Sequence, residues 1–251
     1  MTNSVSARVA INEAARALRD QADLDYISAR HLYRLGFGDQ FMWQAQQAIE
    51  KYLKATLLFA PTLPPRRLGG GDGYGHNLPL LLSDVLNIDP WRPEVFSSVC
   101  KFVEHVHKMG SNRYADNHVY RFGNELPRLD ETVWSLRRWC RDNSTSPPGK
   151  LATRLTPVHW IELQRESMLT TKPERVQLVG GELEQIIKTR RGEMWYPARQ
   201  ALLRWNQWFF DRRPSLVSAP RWSDSFVPIW GRSWANTPEL RTLLKKIGVG
   251  P

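Results

Sequence analysis

The stretch Arg113-Tyr-Ala-Asp-Asn-His118-Val-Tyr120 holds the side chains best suited to chemistry. Histidine transfers protons near neutral pH. Arginine keeps its charge and stabilises a phosphoryl group that is gaining negative charge. Together they suffice for cleavage of RNA without a metal. The imidazole of His118 would take the 2′-OH proton, the freed oxygen would attack the adjacent phosphate, and Arg113 would neutralise the transition state. Tyr114, Asp116 and Asn117 are candidates to support the pair or contact RNA, and Glu104 and Asp116 are candidates to orient His118. On a regular helix a five-residue step rotates the two side chains apart by about 140°. They converge if Arg113 sits in the turn after Gly110, or if a second copy of the motif faces the first across a two-fold axis. The same spacing recurs at Arg154 and His159, outside the helical region, and is taken as coincidence.

Other polar residues point to structural roles. His76 opens a helix and is expected to cap it or order the preceding loop. His105 and His107 fall on opposite sides of one helix and make a poor metal pair. Glu50 and Lys51 are expected in solvated or inter-helix pairs. Arg190-Arg191 and Arg212-Arg213 are candidate phosphate contacts. Trp195, Trp205 and Trp208 fall within one expected helix, and Trp205 and Trp208, three apart on a shared face, are read as packing residues.

These residues are set on a mainly helical chain. Leu24, Ile27, Ala29, Leu32 and Leu35 have helical spacing over Asp20–Leu35, which stops at Gly36-Phe37-Gly38. A second helix is expected from Asp39, as N-cap, to about Ala60, with Ala45, Ala48, Ile49, Tyr52, Leu53 and Thr56 as its apolar stripe. Glu50 and Lys54 would pair on its wet side. The Pro- and Gly-rich residues 61–75 read as a loop. Its glycines lack the GK[ST] and the preceding strand of a phosphate loop. A short helix follows in LPLLLSDVL. Pro93 opens a fourth, with Phe96, Val99, Val103 and Val106 on one side and Gly110 at its end. A fifth begins near Glu125, with Leu126, Leu129, Val133, Leu136 and Cys140 at the spacing of a bundle seam.

Residues 143–150, NSTSPPGK, have the composition of a linker. The expected organisation is therefore a helical bundle over residues 1–145 and a basic, Trp- and Arg-rich, mainly helical extension over 151–251. Helices are expected there at Met194–Asp211 and Pro238–Ile247. Of the 251 residues, 41% are hydrophobic and 24% charged, which excludes a disordered or fibrous chain. The net charge of +10 divides into +3 for residues 1–150 and +7 for 151–251, so a polyanion such as RNA is a natural partner. Two cysteines fit a reducing cytoplasm, and Cys100 and Cys140 both fall on apolar stripes. No apolar run is long enough to span a membrane, and no secretory signal is expected. No Cys/His cluster has zinc-like spacing, and no cofactor is called for.

Ala29-Arg-His-Leu-Tyr33, the run QQAIEKYLKA ending at Ala55, and Gly75-His76-Asn77-Leu78 together resemble the HEPN family (higher eukaryotes and prokaryotes nucleotide-binding domain). The likeness covers about residues 20–145 and includes the five-helix pattern. It implies an all-α bundle. It also implies a metal-independent endoribonuclease with an Arg-x(4–6)-His motif, here Arg113 and His118, shared across a homodimer cleft. The products would be 2′,3′-cyclic phosphate and 5′-OH ends, in a toxin–antitoxin or anti-phage setting. One subgroup, paired with a nucleotidyltransferase antitoxin, carries Arg-x4-His-x-Tyr and is silenced by adenylylation of the tyrosine, which corresponds to Tyr120. Tyr114 departs from the Asn, Asp or His common after the arginine in nuclease members. The alternative that the resemblance leaves open is a non-catalytic nucleotide- or partner-binding module associated with a nucleotidyltransferase.

Overall fold

The computed structural model describes residues 2–60, 62, 64–69, 73–88, 97–110, 124–140, 179–204, 206 and 209. These form seven helices: α1 (Thr2–Arg34), α2 (Gly38–Phe59), α3 (Leu78–Leu86), α4 (Ser97–Gly110), α5 (Glu125–Arg137), α6 (Glu182–Lys188) and α7 (Tyr196–Leu203). No strand occurs among the described residues.

The first helix is longer than the apolar pattern predicts, beginning at Thr2 instead of Asp20. Residues 7–19 are rich in Ala and Arg, which favour helix without marking a wide apolar stripe. The buried Ala15 and Ala22 let this half of α1 approach its neighbours closely. Arg8 also donates to the Phe59 carbonyl at 3.0 Å, tying the start of α1 to the end of α2.

The α1–α2 hairpin turns through a helix-ending motif with a left-handed residue. Gly36 has φ of 80°, which an L side chain resists. The Phe37 N–H donates to the Leu32 carbonyl at 3.0 Å and the Gly36 N–H to the Tyr33 carbonyl at 3.1 Å, satisfying the last carbonyls of α1. Phe37 then occupies the cap position of α2 without a side-chain cap. Asp39, expected at that position, lies in the first turn, where its charge favours the helix N-terminus.

All six stripe residues of α2 are buried. The α3 span agrees with the sequence reading, but its cap is Asn77, whose side chain accepts from Leu80 N–H at 3.0 Å, and not His76. Val99, Val103 and Val106 of α4 are buried, as is Gly110 at its end. Phe96 and Pro93 lie outside the described residues. Every expected seam residue of α5 is buried, Cys140 included, while Cys100 is half-buried at the edge of the core. Burial pushes the Cys140 thiol up to about 12, so it is chemically quiet.

Two of the described helices lie from residue 179 onward. The short α6 was not foreseen; Leu183, Ile186 and Ile187 give it one buried face. The helix expected over Met194–Asp211 is limited to Tyr196–Leu203. It stops because the chain bends at Arg204 to place carbonyls and Asn206 against α1. The linker at 143–150, the helix at Pro238–Ile247, and Trp205 and Trp208 lie outside the described residues. Leu183, Ile186, Ile187, Ala201, Leu202 and Phe209 join the same apolar core as α1–α5.

Candidate functional site

Arg113, Tyr114, Asp116, Asn117, His118, Tyr120, Arg212 and Arg213 lie outside the described residues. The helices on either side of the 111–123 segment are described, and both meet the α1–α2 hairpin. Gly110 packs on Gln46, where a Cβ would come within 2.5 Å of the Gln46 side-chain oxygen. Glu125, the first residue of α5, is near enough to Tyr33 at the end of α1 for its charge to act on the phenol. Burial and that charge push Tyr33 up to about 12. The Tyr33 ring meets Phe41 edge-on, with centroids 5.0 Å apart. The same hairpin exposes Leu35, Phe37 and Trp43.

The end of α1 carries Arg30 and Arg34, with Arg204 nearby. Arg34 is held below the usual arginine value by burial, then by the charges of Arg204 and Arg30. Arg30 itself is fully buried and paired with Asp130 of α5, which also accepts from the Tyr26 hydroxyl at 2.7 Å. Arg30 also donates from Nε to the Ala201 carbonyl and from Nη2 to the Arg204 carbonyl, and Asn206 joins the network by donating to the Tyr26 oxygen at 2.9 Å. Burial raises the Asp130 carboxyl despite Arg30.

One turn pair back along α1, a second buried network mirrors the first. Arg137 of α5 donates to Asp23 at 2.7 and 2.9 Å and to Glu184 of α6 at 2.8 Å. Asp23 also accepts from the Tyr52 hydroxyl at 2.6 Å and from the Leu183 N–H at 2.9 Å. A carboxylate of α1 thereby caps the start of α6, which has no side-chain cap of its own. Burial works against the Glu184 carboxylate, but Arg137 outweighs it, with help from the Val179 N–H, and holds it at about 2. Gly181 is required at this contact: its φ is 121°, and a Cβ would lie 2.6 Å from Asp20 and 2.9 Å from Arg19.

The third polar cluster centres on Glu50. This carboxylate was expected on the wet side of α2 but is buried, with Lys54 on one oxygen at 2.7 Å and His76 Nδ1 on the other at 2.9 Å. Lys54 also donates to the Gly75 carbonyl at 3.1 Å. Glu50 thus anchors the 73–77 turn to α2 and orients a 60% exposed imidazole. Lys51 pairs with Asp25 of α1, as the inter-helix reading expected.

Arg190 and Arg191 are both exposed. Trp195, expected inside a helix, instead precedes α7 and is 51% exposed. No cluster of three or more His, Cys, Asp or Glu suited to a metal occurs among the described residues. No described helix is long and apolar enough to cross a membrane.

The buried charges could have been found from spacing. Asp23 and Arg30 are seven residues apart on α1, as are Asp130 and Arg137 on α5, and seven residues return to the same helical face. Two such faces running antiparallel place each acid opposite the other helix's base. Glu50 offered no comparable signal, because its i,i+4 lysine is the usual mark of a solvated pair.

The described residues form an all-helical bundle, which defines the structural class. Comparison with protein families matches the HEPN domain to residues 15–85, spanning most of α1, all of α2 and nearly all of α3. The HEPN resemblance read from the sequence is shown over these residues, and it supports a nucleotide- or RNA-related module. Neither the curated proteins nor the solved structures provide a match.

Proposed function

We propose that this protein is a metal-independent endoribonuclease of HEPN type. The observation that carries the reading is Arg113-x4-His118-x-Tyr120, set between α4 and α5 of a bundle whose first three helices match the HEPN domain. In this reading His118 removes the 2′-OH proton and later protonates the 5′-oxygen, and Arg113 stabilises the phosphorane. The products are 2′,3′-cyclic phosphate and 5′-OH ends. The chain's net charge of +10 supports the reading, because it favours a polyanionic partner.

The protein acts as a homodimer, with the exposed Leu35, Phe37 and Trp43 available to a second copy. Its setting is cytoplasmic, in a toxin–antitoxin or anti-phage system. A nucleotidyltransferase partner would silence it by modifying Tyr120. RNA is incubated with the purified protein in EDTA, and His118→Ala and Arg113→Ala are run in parallel. Each variant is expected to lose at least about a hundredfold in cleavage rate. Equal cleavage by wild type and both variants would exclude these roles. Binding of RNA without cleavage would favour the non-catalytic module.

A further inference from the structure

The turn that leads into α7 has a surface the HEPN match does not reach. The Glu193 N–H closes a reverse turn onto the Arg190 carbonyl at 3.2 Å, and the Tyr196 N–H closes a second onto the Glu193 carbonyl at 3.1 Å. The Glu193 carboxylate also accepts from the Arg190 N–H at 2.9 Å. The first turn exposes Arg190 and Arg191, and the second exposes Met194 (80%) and Trp195 (51%). An exposed tryptophan on a tightly bonded turn is not idle packing, since the core beneath α6 and α7 is completed by Leu183, Ile186, Ile187, Ala201 and Leu202.

The mounting is rigid. Arg199 donates to the Ile187 carbonyl at 2.9 Å, joining α7 to α6. Arg30 holds the Ala201 carbonyl at 3.0 Å, joining α7 to α1. At the far end of α7, about 12 Å away along an eight-residue helix, Arg204 approaches Arg34. Cations thus stand at both ends of α7 and an aromatic face at one. Between Lys188 and Arg204 the chain carries five basic residues and a single acid, Glu193.

We infer that this turn and α7 form a single-stranded RNA-binding surface, on which Trp195 stacks against a base and Arg190 and Arg191 contact flanking phosphates. Charge complementarity selects the occupant: an acidic strand with exposed bases satisfies both the guanidiniums and the indole, whereas duplex RNA hides its base faces. The inference rests on the ribonuclease reading only for the fate of the bound strand, and it names where that strand is held.

The test separates the two. Binding of a fluorescent, fully 2′-O-methylated single strand to the full chain is followed by anisotropy, because such a strand cannot be cut by 2′-OH attack. Trp195→Ala is expected to weaken binding by roughly tenfold, while Trp195→Phe retains most of it. Arg190→Ser with Arg191→Ser is expected to weaken binding and to reduce the log–log salt slope by about 1.4. Unchanged affinity in Trp195→Ala, or an unchanged salt slope in the double arginine variant, would overturn the inference. So would competition by polyglutamate as strong as by polyuridylate, which would mark an acidic protein as the occupant. Loss of cleavage in His118→Ala with this binding intact would leave the surface in place whatever the chemistry.

Discussion

The α1–α2 hairpin and the segment from residue 179 to 209 are attached to the same core by different physics. The hairpin is held by a continuous apolar face that includes Phe41, Met42, Ala45, Ile49 and Leu53. The later segment contributes six core residues and is fastened by two buried arginines, Arg30 and Arg137. Apolar contact is non-directional and tolerates small shifts, whereas a guanidinium shared among three partners fixes one arrangement. The first region is built to be stable, and the second is built to be placed.

Breaking a charged clip should therefore cost more than its size suggests. Arg137→Ala leaves Asp23 and Glu184 buried without their cation and is expected to lower stability by about 3–5 kcal/mol in urea unfolding. Leu53→Ala creates a cavity in the hairpin and is expected to cost about 2–5 kcal/mol by the same measurement, with no change in pH dependence. A much smaller loss in Arg137→Ala than in Leu53→Ala would show that the later segment contributes little to the cooperative fold.

The pH profile sharpens the contrast. Glu184 is held near 2, below its ordinary value, so its stabilisation is present above about pH 4.5 and is lost as pH falls toward 2. Glu184→Gln should remove up to about 3 kcal/mol at neutral pH and flatten the difference from wild type across that acid window. The raised Asp130 carboxyl has the opposite slope but is common to both proteins and cancels in the comparison. At the small end, Lys51→Ala removes a partly exposed pair with Asp25 and should cost no more than about 1 kcal/mol.

Much of the bundle was legible in the residues. Apolar periodicity located α2, α3 and α5 to within a few residues, because each buries one face against the core. It missed the first half of α1, where small residues pack without a hydrophobic stripe, and α6, whose seven residues complete barely two turns. It overextended α7, because the signal that ends that helix is tertiary: carbonyls drawn to Arg30 across the chain. The proposed site comes from a motif and a resemblance alone: Arg113 and His118 are singled out by type and spacing, and both lie outside the described residues. The polar scaffold was read less well. Glu50 and Trp195 depart from the reading in different ways: a carboxylate assigned to the wet side of its helix is buried under His76 and Lys54, and an indole placed within a helix precedes it and is half exposed.

The central claim is that a 2′-hydroxyl of the RNA is itself the nucleophile. It is tested most directly by comparing, in EDTA, an RNA with the same sequence fully 2′-O-methylated, and by analysing the ends produced. The account predicts cleavage of the RNA alone, yielding 2′,3′-cyclic phosphate and 5′-OH termini. Cleavage of the methylated strand, or 5′-phosphate ends from the RNA, would contradict it.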